Sequence, residues 1–215
     1  MTSSQADRFK QEHWQDSIII KFMDVGGTVE RQIADATHAF LQRDAGLAAD
    51  VIKRHTDLAS ESFFSQFPFA NGPTSEDVRF FATALRIGRK LERVEKAGLH
   101  IAKISLQPSA KAHLRPVFDL ELMSRWIQEN LAVTLRAFAE RDSNLASTVV
   151  RDNSYVDDVY DQILRRLFTY MAADPTSLRY ATKPMAVAQG LQHAGDHVVD
   201  IAELTILMLR SQALR

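Results

Sequence analysis

Two histidines four residues apart, His193 and His197, lie in the chain's most chemically loaded run, Gln192-His193-Ala194-Gly195-Asp196-His197-Val198-Val199-Asp200. Residues at that spacing share one face of a helix. Paired imidazoles with Asp196 and Asp200 beside them can bind zinc or nickel. The competing reading, a polar solvent-facing stripe, is the preferred one. About one hundred residues upstream, Lys90-Leu91-Glu92-Arg93-Val94-Glu95-Lys96 has a related form. Glu92 with Lys96, and Gln192 with Asp196, each make a lateral pair four residues apart. The chain has no Glu-x-x-His pairing of the di-iron kind, no glycine-rich phosphate loop and no nucleophile–base signature. His38, His100 and His113 read as isolated surface residues, and Trp14 and Trp126 as core or helix-edge anchors.

The elements that must position these residues come twice. Residues 40–53, Phe-Leu-Gln-Arg-Asp-Ala-Gly-Leu-Ala-Ala-Asp-Val-Ile-Lys, are echoed by Phe-Ala-Glu-Arg-Asp-Ser-Asn-Leu-Ala-Ser-Thr-Val-Val-Arg at 138–151. Phe40, Arg43, Asp44, Leu47, Ala48 and Val51 recur identically, where chance gives about one match. Each copy reads as an apolar helix end, an Arg-Asp break, and a second helix: a helical hairpin.

The periodicity extends this to three helices per copy. Apolar residues at 14, 18, 22, 25, 29, 33, 36 and 40 define the first helix, with Gly26-Gly27 inside it. That glycine pair marks either a close helix approach or a tolerated weak spot. A second helix carries Leu47, Val51, Leu58 and Phe63 until Pro68 and Asn71-Gly72-Pro73 end it. The third starts at Thr74, capped with an acid three residues on, and runs through Val78, Phe81, Leu85, Gly88, Leu91, Val94 and Ile101. Pro116 suits the first turn of the fourth. The fifth runs from near Ser143 to Tyr170 without a break. The sixth follows Asp174-Pro175, with Pro184 expected to shift its start. No stretch alternates like a strand. The expected fold is all-α, a tandem pair of antiparallel three-helix bundles with six long helices. The repeats are expected at 10–106 and 116–214, joined by a linker at 107–115.

Composition narrows the function. The 215 residues hold 26 Lys and Arg against 27 Asp and Glu, which offers no basic excess for nucleic acid. The absence of cysteine removes disulfides and thiolate metal sites. No apolar run approaches the roughly 18 residues of a membrane span. The first residues lack the order of a signal peptide. A cytoplasmic protein is expected.

At this level the chain resembles the PhoU family, the phosphate-specific transport accessory proteins of bacteria. The family has tandem three-helix repeats whose third helices carry a Glu-Arg-Ile-Gly-Asp-like motif. Leu91-Glu92-Arg93-Val94 and Gly195-Asp196 are similar to parts of it. Val29-Glu30-Arg31-Gln32, the run from Phe40 to Ile52, Val156-Asp157 before Tyr160, and Ile163-Leu164-Arg165-Arg166-Leu167-Phe168-Thr169-Tyr170-Met171 extend the likeness over residues 10–209. The resemblance implies metal clusters held by paired acids on the bundle surface. Carried over, the matching positions are Glu92 and Lys96 in the first copy and Gln192 and Asp196 in the second, with Asp157 in a region where the family places acids; His193 and Asp200 remain candidates from their own spacing alone. Lys96 stands where the first copy should have an acid, and Gln192 where the second should. A divalent metal ion is therefore expected, if anywhere, at the second repeat.

The resemblance further implies a non-enzymatic regulatory adaptor that restrains phosphate uptake and phosphate-starvation signalling. Its implied partners are the ATPase subunit of the phosphate transporter and the phosphate-sensing histidine kinase. It would sit peripheral to membrane complexes, with room for a homodimer. The alternatives are a metal-binding bundle with a regulatory role outside phosphate uptake and a metal-dependent enzyme.

Overall fold

The computed structural model describes residues 14–54, 74–107 and 118–213. Leu58, Phe63, the Pro68–Pro73 terminator, His113 and Pro116 lie outside the described residues. Seven α-helices are found among the described residues, with no strand. They are α1 (Trp14–Gln42), α2 (Ala45–Lys53), α3 (Ser75–Ser105), α4 (Phe118–Glu140), α5 (Ser143–Arg151), α6 (Ser154–Ala173) and α7 (Leu178–Ala213). A 3-10 turn, Pro175–Ser177, leads into α7.

The repeated stretch is a repeated turn. Arg43 and Arg141 end α1 and α4 in the left-handed region, with φ of 58° and 55°. The amide of Asp44 then donates to Ala39 O and that of Asp142 to Ala137 O, both at 2.9 Å. This six-to-one bond satisfies a helix-end carbonyl in the Schellman manner. The same aspartates cap the next helix. Asp44 Oδ1 accepts from the Leu47 amide at 2.9 Å, and Asp142 Oδ1 from Asn144 and Leu145 at 2.8 and 3.0 Å. Arginine is a costly choice for left-handed backbone, by about 1–2 kcal/mol. At Arg141 the side chain offsets this by reaching across the fold, to Glu76 at 2.9 Å and Gln15 at 2.6 Å, and over the Phe80 ring.

At α3 the expected cap is present. Thr74 accepts from the Asp77 amide, and Asp77 accepts from the Thr74 amide, a reciprocal capping box. The expected face is off at its start. Val78 is 50% exposed, while Phe80, Ala84 and Ile87 are buried; from Gly88 onward the expected positions face inward. Both registers are apolar in the first turns, so periodicity alone permits either. Phe80 wins because it stacks on Phe138 at 5.3 Å and takes the edge of Trp14 at 5.4 Å.

Two further boundaries differ from expectation. The anticipated unbroken fifth helix is two, α5 and α6, interrupted at Asp152-Asn153. There Asp152 N–H donates to Val149 O and Tyr155 N–H to Asp152 O, tight three-residue bonds of the kind short polar side chains favour over helix. Pro184 does not delay α7. The helix begins six residues earlier, at Leu178, behind an Asp174 side chain that accepts from the Thr176 amide at 3.0 Å.

The two bundles share one continuous core. Helix α3 packs along α7, and α1 packs on both α3 and α4, while α4 closes against α7. Contacts of Phe22 with Phe138 and of Gly26 with Leu135 show that α1 and α4 run antiparallel. Among the described residues one buried cluster includes side chains from Ile18 to Met208. Each fully buried Ile, Leu or Phe in it contributes about 1.5–3 kcal/mol by leaving water.

Candidate functional site

The polar stripes of the two repeats lie on α3 and α7, which run antiparallel and in contact: Lys90 meets Asp200, and Gly190 lies against Ile101. In the first stripe, Glu92 and Lys96 form the lateral pair that their spacing dictates, an ion pair between Lys96 Nζ and Glu92 Oε1. An ammonium therefore lies against the one acid of that pair.

The second stripe is more divided. Gln192 Nε2 donates to Asp157 Oδ1 of α6 at 2.9 Å, so these two candidates do come together. Asp196 sits near them, and burial followed by repulsion from the Asp157 carboxylate raises its pKa, against the pull of His193 and His197. Asp200 faces elsewhere. Its Oδ2 accepts from Lys90 Nζ of the first repeat at 2.5 Å and lies 3.3 Å from His197 Nδ1. Burial works to raise the Asp200 pKa, but the Lys90 and His197 contacts outweigh it and hold the pKa low. Burial lowers the His197 pKa, against the hydrogen bond that the ring donates to Asp200, and the Lys90 charge lowers it further. His193 is exposed.

Hard divalent ions take several oxygen ligands, anionic ones first. Among the described residues no three His, Asp or Glu side chains converge in that way. Glu92 has an ammonium as its neighbour, Asp157 an amide and Asp200 an ammonium. The donor set does not fit a closed metal cluster in either stripe.

Sequence reasoning passed over three residues. Lys90 carries no local signal, since its partner is 110 residues away. Glu95 is fully buried, and the Gln32 amide donates to its carbonyl oxygen at 3.3 Å. Its counterpart in the second copy is Gly195, packed on Val156, so the mismatch between the copies was a visible sign. Arg166 belongs to an Arg165-Arg166 pair that on an amphipathic helix reads either as a solvated face or as a contact for an acidic partner; it pairs with Asp119 of α4.

A tandem repeat of helical hairpins on one core, with polar third-helix stripes, is a scaffold of a definite class, and comparison identifies which. The family model described as "PhoU domain" matches residues 22–105 and 120–205. The chain belongs to the PhoU family. It is 27% identical to the phosphate-specific transport system accessory protein PhoU of Escherichia coli, over 93% of this chain and 85% of that one. It is 31% identical to the PhoU homolog of Caulobacter vibrioides, over 88% and 85%. The crystal structure of PhoU from Pseudomonas aeruginosa matches with a TM-score of 0.83 at 26% identity, covering 91% of this chain and 97% of that one. The phosphate transport system regulatory protein PhoU from Streptococcus pneumoniae, at 19% identity and a TM-score of 0.82, shares the fold. No described helix is long and apolar enough to cross a membrane.

Proposed function

We propose that this chain is a non-enzymatic regulatory accessory protein of a phosphate transport system, restraining phosphate uptake and starvation signalling by docking its helical faces on other proteins. The observation that carries the reading is the end-to-end match: both repeats fall within the family, and relatives covering most of the chain are named as accessory proteins of phosphate transport. By resemblance, the partners are the transporter's ATPase subunit and the phosphate-sensing histidine kinase, and the place of action is the cytoplasm. Regulation by docking needs a stiff, persistent surface, and a core shared between the repeats supports that.

The test is reporter output and phosphate uptake in phosphate-replete cells of the native host. Deleting the gene should raise both, and wild type and Asp196→Ala should restore repression. Leu167→Asp should not, because it places a carboxylate at a 1% exposed core position, at a cost of several kcal/mol. If deletion changes neither output, the phosphate reading fails. If Asp196→Ala loses repression while folded and abundant, the acidic face acts directly and regulation by docking alone fails.

A further inference from the structure

We infer that this chain carries a cation as a side chain: the Lys96 ammonium occupies the place against Glu92 where the family resemblance implies a metal ion, and a second ammonium, Lys90, neutralises the neighbouring acid Asp200. The inference stands apart from the regulatory reading above. It rests on what each candidate acid touches. In the first repeat Glu92 meets Lys96 from one turn along the same helix. In the second, Asp200 is claimed by Lys90, which comes from the first repeat and so ties α3 to α7. The remaining pair, Asp157 and Asp196, has Gln192 Nε2 on one of its oxygens.

Two physical consequences follow. A divalent ion approaching Glu92 must first displace an ammonium and then share a site with a single carboxylate, which is too few oxygens to hold it. An internal ammonium is also present at every metal concentration, so the charge balance of the stripes does not vary with metal supply. Lys96 is 55% exposed at its side chain, so the pair is replaceable without opening the core.

The experiment uses the full chain, expressed with manganese, iron and zinc supplied, and reads metal content and thermal melting. Wild type is expected to retain no stoichiometric metal after gel filtration, and its Tm should not move on adding a chelator or excess manganese. Lys96→Asp should acquire a manganese-dependent rise in Tm of about 3 °C or more, as a ligand that binds only the folded state produces. Adding Glu92→Gln to that variant should remove the rise. Stoichiometric metal in wild type, or a fall in its Tm with chelator, overturns the inference. So does a Lys96→Asp variant that is folded and indifferent to manganese, since Lys96 then does not occupy a cation's place.

Discussion

Gly26 and Gly27 are neighbours in one helix, yet replacing each by alanine should move stability in opposite directions. A Cβ built on Gly26 would lie 2.1 Å from Leu135 Cδ1, where ordinary carbon contacts are about 3.5–4.0 Å. Leu135 is only 2% exposed and sits at the seam where α1 crosses from one repeat to α4 of the other. Overpacking of this kind costs about 1–3 kcal/mol. The gain in helix propensity returns about 1 kcal/mol. Gly26→Ala should therefore destabilise by roughly 1 kcal/mol net. At Gly27 the added atom would meet nothing nearer than Arg31 Nη1 at 4.0 Å, so the propensity gain stands alone. Gly27→Ala should stabilise by about 1 kcal/mol. In a chain of this size each change is about 2–4 °C in Tm. Denaturant unfolding followed by circular dichroism would read both. The cycle with Leu135→Ala is the sharper measurement. That substitution alone costs about 2–5 kcal/mol, but beside Gly26→Ala the new methyl fills part of the space, and the coupling should be about 1 kcal/mol or more. Equal stabilisation by both glycine substitutions, or additivity with Leu135→Ala, would refute the close-packed seam.

Two other expectations rest on particular contacts. Asp142→Ala removes the cap from two amides at the start of α5 and should cost about 1–2 kcal/mol, seen as a lower denaturation midpoint; an unchanged midpoint would mean water replaces the cap fully. His197 is held below its ordinary pKa by burial, so the unfolded chain binds its proton more readily than the folded one. The stability tied to neutral His197 is present above the usual imidazole range and is lost as pH falls through about 6.5 toward the lower folded value. Asp200 titrates below this window. The denaturation midpoint should drop between about pH 7.5 and 5.5, and His197→Gln should flatten that drop; an equal drop in the variant assigns it to another group.

What the amino-acid sequence determined is what rests on neighbours along the chain. The α1 face from Ile18 to Ala36, the Thr74 capping box, the doubled Arg-Asp break and the Glu92–Lys96 pair are all set by residues within about one or two helical turns of each other. Hydrogen bonds and spacing at that range survive whatever the rest of the molecule does. The repeat was legible for the same reason: a left-handed turn followed by an aspartate cap needs the same few residues each time. Tertiary structure decided everything that depends on which surfaces meet. Phe80 rather than Val78 turns inward because Phe138 and Trp14 are there to receive it. Gly26 differs from Gly27 only through Leu135, more than a hundred residues away. Asp200 was grouped with Asp196 by spacing, yet Lys90 from the other repeat separates their roles. A helical pattern states which residues share a face, but the partner of that face is a property of the packed fold. At this site the partners are lysine side chains of the chain itself, and no local pattern reports where Lys90 will land.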